Sequence, residues 1–158
     1  MNPITNSTDG KVVAVSIGLR KGEKKTNVRE CRLILGEGLE NDAHAGDWHR
    51  QVSLLAMESM ARIKDKGLDV QPGDFAENIA TEGLKLWDMP IGTLLQMGRQ
   101  AIIEVTQIGK ECHTRCAIYH QVGDCVMPRE GIFARVVKGG TIRPDDSIKR
   151  LNSVDEVF

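Results

Sequence analysis

Between Gly109 and Phe133 the chain gathers three of its four cysteines and two of its four histidines. The same stretch holds Lys110, Arg115 and Arg129, so soft metal ligands and anion-binding groups arrive together. Thiolates bind soft metals, and the planar, always-charged guanidinium suits phosphates and other oxyanions. A thiol loses its proton more readily beside Arg, Lys or protonated His. Cys112 and Cys116 bracket His113 and Arg115, so either could be held as a thiolate at neutral pH. Such a thiolate could ligate a metal or accept sulfur as a persulfide. A lone cysteine more often packs as a small hydrophobe, and Cys31, inside an alternating apolar run, reads that way. Cys112, His113, Cys116, His120 and Cys125 could instead hold a structural zinc ion. Their Cys-x3-Cys-x8-Cys spacing lacks the paired Cys-x2-Cys units of strong zinc patterns.

A second polar cluster lies upstream. Gly36 to Arg50 (GEGLENDAHAGDWHR) crowds Asp42, His44, Asp47, Trp48, His49 and Arg50 among turn residues. Turn chemistry accounts for the glycines and the Asn41-Asp42 pair. The concentration of His, Trp and Arg points further, to the rim of a site. Arg50, Arg115 and Arg129 are candidates for a bound phosphate, each with a plain surface charge as its alternative, the stronger reading for Arg129. His44 and Asp42 could orient a ligand or relay a proton. Their plain alternative is a packed histidine and a turn-stabilising aspartate. Glu77 and Asn78 could line a pocket, although both residue types also serve strand ends and turns.

The elements that must position these groups are mostly strands. Lys11–Leu19, Glu30–Leu35, Gln51–Leu55, Ala80–Gly83, Thr93–Met97, Gln100–Gln107 and Ile132–Lys138 carry β-branched or alternating patterns. Thr93 to Gln107 reads as a hairpin turned at Gly98-Arg99. Met57–Lys66 is the clearest helix; Met57, Met60, Ala61 and Lys64 share a face, its Met residues are expected to pack in the core, and Gly67 is placed to end it. Lys21–Thr26 (KGEKKT) reads as a solvated loop tip and Gly139-Gly140 as a turn. These patterns predict a mainly β (α+β) fold, barrel-like, with a few helices. Residues 1–10 read as a tail, 11–150 as one domain and 151–158 as a second tail.

Composition removes several function classes. A formal charge of −1 in 158 residues lacks the electrostatic footprint of nucleic-acid or membrane-surface binding. Aromatics at 4% offer little stacking surface for single strands. No apolar run approaches the ~20 residues of a membrane span. The N-terminus has no signal-peptide core, and the uneven cysteines form no disulfide framework. A cytoplasmic protein with reduced thiols is expected.

Four blocks in order resemble the MOSC domain, the molybdenum-cofactor sulfurase C-terminal domain, in its small stand-alone bacterial form. They are Gly38–Gly46 (GLENDAHAG) closed by Arg50–Leu55 (RQVSLL), Pro72–Ile79 (PGDFAENI), Ile91–Gly98 (IGTLLQMG) and Gly131–Gly140 (GIFARVVKGG). The resemblance runs from about Lys11 to Ile148. It implies a β-barrel fold and a role in handling molybdenum cofactor, a pterin bearing a dithiolene and a phosphate. It also implies a cysteine that binds the metal or carries sulfur. By position that cysteine is Cys116, with Cys112 as the alternative; Cys125 fits a subgroup variant. Arg50, Asp42, His44, Glu77, Asn78 and Arg115 become the expected cofactor contacts.

The pyridoxal-phosphate desulfurase module of full-length sulfurases has no counterpart in these residues. Pyridoxal phosphate is therefore expected only on a separate partner, a cysteine desulfurase, with a molybdoenzyme as the other candidate partner. Some relatives of the domain reduce N-hydroxylated compounds at bound molybdenum, so a reductase subunit fed by another chain is a further reading. One departure stands out: Asp145-Asp146 occupies the place where the family has Gly-Asp.

Overall fold

The computed structural model describes residues 9–20, 23–109 and 130–151. Its strands are β1 (Asp9–Ile17), β2 (Thr26–Val28), β3 (Cys31–Ile34), β4 (Gly38–Leu39), β5 (Val52–Ala56), β6 (Ile79–Glu82), β7 (Leu94–Met97), β8 (Ala101–Ile108), β9 (Ile132–Lys138), β10 (Gly140–Ile142) and β11 (Ser147–Leu151). Seven of them close into a barrel in the order β11-β7-β8-β9-β5-β6-β1, with β1 returning to β11. β2 extends from β1, and β10-β3-β4 form a second small sheet. The expected mainly β, barrel-like fold is the fold observed.

The barrel interior follows from strand alternation. Val52, Leu54 and Ala56 of β5, Ala101, Ile103 and Val105 of β8, and Ile132, Ala134 and Val136 of β9 share one core. Side chains two apart on a strand face the same way. β1 breaks that rule with a bulge between Val12 and Ala14. Val12 and Val15 therefore both reach the barrel core, while Ala14 joins a second cluster outside it. Leu33, Leu39 and Ile142 bring the small sheet onto the same barrel core.

β5 and β6 are parallel, the exception in an otherwise antiparallel barrel. Their connection carries α1 (Met57–Asp65), and a 3-10 turn follows at Leu86–Asp88. Met60 and Ile63 of α1 pack with Leu55, Val70, Phe75 and Phe133. The buried face is thus Ser59, Met60 and Ile63, with Met57 packed at its edge. Ala61 and Lys64 are exposed. Met60 and Met57 pack in the core as expected, and Ser59, held inside by a hydrogen bond to Glu130, takes the place beside them. Gly67 does end the helix, at φ +97° with its amide on the Lys64 carbonyl.

Other differences have physical reasons. The Gly139-Gly140 turn is half strand, because Gly140 pairs with Leu33. β2 and β4, with two or three residues each, are too short to show alternation. At the Asp145-Asp146 departure, Asp145 adopts φ +76°, a left-handed conformation open to glycine and tolerated by Asp. Asp146 then caps the turn by accepting the Arg143 amide at 2.8 Å. The geometry that a glycine would supply is kept. No helix among the described residues is long and apolar enough to cross a membrane.

Candidate functional site

The loop between β4 and β5 carries the upstream polar cluster. Asn41 enters it at φ +67°, and the Asp42 carboxylate accepts the His44 amide at 2.9 Å, an Asx-type turn. Asp42 is therefore a turn former, as its plain reading held, but it does more. Its Oδ1 accepts the Gly18 amide at 2.9 Å from the end of β1, and the Lys25 ammonium at 2.9 Å. Both side chains of the Lys25–Asp42 pair are fully buried. Burial alone would raise the Asp42 carboxyl. The Lys25 ammonium and the amides of Gly18 and His44, all donating to the carboxylate, outweigh burial and hold the group well below the usual carboxylate range.

Lys25 corrects the sequence reading. The KGEKKT stretch was expected to be a solvated tip, yet Lys25 is 5% exposed. Its Nζ also lies 3.0 Å from His44 Nδ1. The backbone around it is braced by the turn before β6. Lys25 N donates to the Gly73 carbonyl at 2.8 Å. Gly73 sits at φ +97°, where a Cβ would come within 2.4 Å of the Lys25 carbonyl oxygen. Only glycine allows that approach. Gly73 is in turn fixed by Glu77, whose carboxylate accepts the Gly73 amide at 2.6 Å and the Phe75 amide at 3.1 Å. Burial pushes the Glu77 carboxyl up to about 7, against the pull of those amides.

Asn78 stands beside it and joins three segments. Its Oδ1 accepts the Ser53 amide at 2.9 Å, and its Nδ2 donates to the Ser16 carbonyl at 3.1 Å. Glu77 and Asn78, expected as pocket lining, thus have their polar atoms engaged by backbone, tying the ends of β1 and β5 to the start of β6.

From His44 a chain of contacts runs along the loop. The His44 and Trp48 rings are nearly parallel with centroids 6.2 Å apart, and Trp48 Nε1 donates to the His44 carbonyl at 2.7 Å. His49 meets Trp48 edge-on at 5.9 Å. Arg50 lies with its guanidinium carbon 5.1 Å from the centre of the Phe133 ring, a cation–π arrangement.

Gln107 of β8 joins the last two. Its Nε2 donates to the Gly109 carbonyl at 2.8 Å, which turns Oε1 toward Arg50 Nε at 3.0 Å and His49 Nε2 at 2.9 Å. His49 must then carry its proton on Nε2. Sequence reading passed over Gln107 as one more strand residue, and nothing in the sequence marks it.

This corner is also where the cysteine segment joins the barrel. The Gly109 amide donates to the Gly131 carbonyl at 2.6 Å, so the described residues on either side of 110–129 meet at one point. Glu130, next along, is held by Ser59 and Arg62 of α1. Cys112, Cys116, Cys125, His113, His120, Arg115 and Arg129 lie outside the described residues. Cys31 is half-buried, and burial pushes its thiol up, as suits a packing role. Beside the loop, a cleft of about 570 Å³ is bordered by Trp48, His49, Thr106, Glu104, Arg135 and Ile91.

Comparison with known proteins gives a consistent family and fold. A family model described as MOSC domain matches residues 41–149. The crystal structure of the YuaD protein from Bacillus subtilis superposes with a TM-score of 0.74 at 17% identity, over 89% of this chain and 94% of that one. YiiM from Geobacillus stearothermophilus gives 0.68 at 20% identity, over 94% and 78%. YiiM from Escherichia coli gives 0.66 at 21%, over 92% and 71%. At such identities the likeness is one of fold. No curated protein sequence matches the chain.

Proposed function

This chain belongs to the MOSC domain family, and on that premise we propose that it binds molybdenum cofactor and serves cofactor handling or sulfuration in the cytoplasm. The thiolate is that of Cys116, or of Cys112 four residues before it. The observation that carries the reading is the junction at Gly109 and Gly131. There the two ends that flank a segment with three cysteines meet at the barrel, beside Gln107, His49 and Arg50.

The donors fit the group. Arg50 is oriented by Phe133 and Gln107, and its Nε is the guanidinium nitrogen bonded among the described residues. Its Nη groups supply the paired donors that a phosphate takes best. Arg115, in the cysteine segment, is the second phosphate ligand in this reading. When bound, the cofactor supplies a redox-active metal that a thiolate can ligate.

For sulfuration, the chain's own step is a sulfur transfer. The Cys116 thiolate attacks the terminal sulfur of a persulfide on a partner cysteine desulfurase. The S–S bond of the donor breaks, and the donor leaves as a thiolate. No external oxidant is needed. Pyridoxal phosphate belongs to that partner, and a molybdoenzyme is the recipient.

The test is metal and pterin content of protein purified, without added metal or chelator, from a host that makes the cofactor. Molybdenum and pterin near one per chain, lost in Cys116→Ser and reduced in Arg50→Ala, are expected. Zinc at one per chain without pterin would replace the reading with a structural metal site. Absence of both, with no persulfide on Cys112 or Cys116 after incubation with a desulfurase and cysteine, would end it.

A further inference from the structure

We propose that Lys25 is a positioning residue that locks His44 as the neutral tautomer protonated on Nε2, so that His44 acts as a fixed hydrogen-bond donor and not as a proton relay. Three distances carry the assignment. Lys25 Nζ is 2.9 Å from Asp42 Oδ1 and 3.0 Å from His44 Nδ1. Asp42 Oδ2, the other candidate partner for Nδ1, is 3.7 Å away, beyond hydrogen-bond range.

An ammonium group has three donors and no acceptor. Beside a buried carboxylate that needs a counter-charge, Lys25 is charged, and its only possible role toward Nδ1 is to donate. Nδ1 must present its lone pair, and the ring proton sits on Nε2. In the familiar Asp–His arrangement the carboxylate accepts a hydrogen bond from Nδ1–H and leaves Nε2 as a base. Here the lysine stands between the two and reverses the polarity of the ring.

Among the described residues the Nε2–H has no partner, and Thr81 Oγ1 is the one buried side-chain atom there left unsatisfied, so Nε2 is not a sealed orphan. His44 therefore keeps one donor for a group brought from outside: an oxyanion, a carbonyl or a ring acceptor. Gly18 supports the device from below. A Cβ there would meet Lys25 Cγ at 3.1 Å, so the bare glycine leaves the lysine stem its path. The role of the donor toward a bound group rests on the cofactor reading above; the tautomer does not.

The experiment is a long-range ¹H–¹⁵N correlation spectrum of the histidine rings in the uniformly labelled full chain at neutral pH. His44 is assigned by its loss in His44→Phe. The proton is expected on Nε2 with Nδ1 bare. In Lys25→Met, Asp42 becomes the nearest acceptor and the proton is expected to move to Nδ1. Lys25→Arg, which can donate from the same place, is expected to keep it on Nε2.

A proton on Nδ1 in the unmutated chain would overturn the proposal. So would a folded Lys25→Met chain with the ring unchanged. Should Lys25→Met not fold, loss of the Nε2 proton in Lys25→Arg would overturn it instead. A chain that holds no pterin yet shows the stated tautomer would sink the cofactor reading and leave this one standing.

Discussion

Raising the pH from 5 to 8 is expected to destabilise the fold through Glu77, the reverse of what a surface carboxylate does. The side chain is 1% exposed, and its carboxyl is raised from an ordinary 4.5 to about 7. Between those values the folded chain holds the proton while the unfolded chain has released it. Stability changes with pH in proportion to the protons bound by the unfolded chain minus those bound by the folded one. That difference is negative here, so the contribution is present below about 4.5 and is lost as pH climbs to about 7. At about 1.4 kcal/mol per unit the full loss is roughly 3 kcal/mol, of which about 2–3 falls between pH 5 and 8.

Glu77→Gln supplies the reference, because an amide of the same shape does not titrate. Urea denaturation of both chains at pH 5 and pH 8 gives the gap between them at each pH. The unmutated chain should lose about 2–3 kcal/mol relative to Glu77→Gln across that interval, a relative midpoint shift of about 1–2 M urea. A gap constant to within about 0.5 kcal/mol would refute the reasoning. It would mean that the two amide bonds from Gly73 and Phe75 hold the carboxylate ionised throughout.

Two other substitutions probe the same frame. Gly73→Ala forces a methyl against the Lys25 carbonyl oxygen at 2.4 Å and at φ +97°. A loss of about 3 kcal/mol in urea denaturation is expected, and a loss under about 1 would show that the two loops move apart freely. Asn78→Ala removes the acceptor of the buried Ser53 amide and the donor to Ser16. It should cost about 2–3 kcal/mol by the same measurement, because a stranded buried amide carries its full desolvation penalty.

The barrel was legible where strands are long and β-branched. β8 and β9 follow directly from Gln100–Gln107 and Ile132–Lys138, and the β7–β8 hairpin from the Gly98-Arg99 turn between two such runs. The helix was legible as a helix with its Met residues packed inward, but the burial of Ser59 was not. What holds Ser59 inward is Glu130, far away in sequence.

The site divides the same way. Asp42, His44, Trp48, His49 and Arg50 stood out by crowding, and the structure joins them in one run of contacts. Lys25 did not stand out, because in KGEKKT it is one lysine among three. Its burial is decided by a carboxylate and an imidazole on a different loop. Family likeness gave no help there either, since none of the four blocks that carry it includes Lys25 and the family model begins at Asn41. Long-range partners, unlike periodicity, leave no local trace.

The pairing of β1 with β11 has a consequence for how this chain is made. Gly10 faces Ile148, so that edge of β1 at Asp9–Lys11 finds its partner only when almost all of the described chain exists. At ~5–20 residues per second, the first strand waits on the order of ten seconds or more on the ribosome with part of one edge unpaired. Contacts of such sequence separation also slow folding, since closure entropy comes before any reward. β6 covers the opposite edge of β1; on this edge the early partner is β2, three residues long, which covers Val15–Ile17 and leaves Asp9–Lys11 bare. Ending the chain before Ser147 would therefore expose that edge permanently and turn a closed protein into one that pairs with its neighbours.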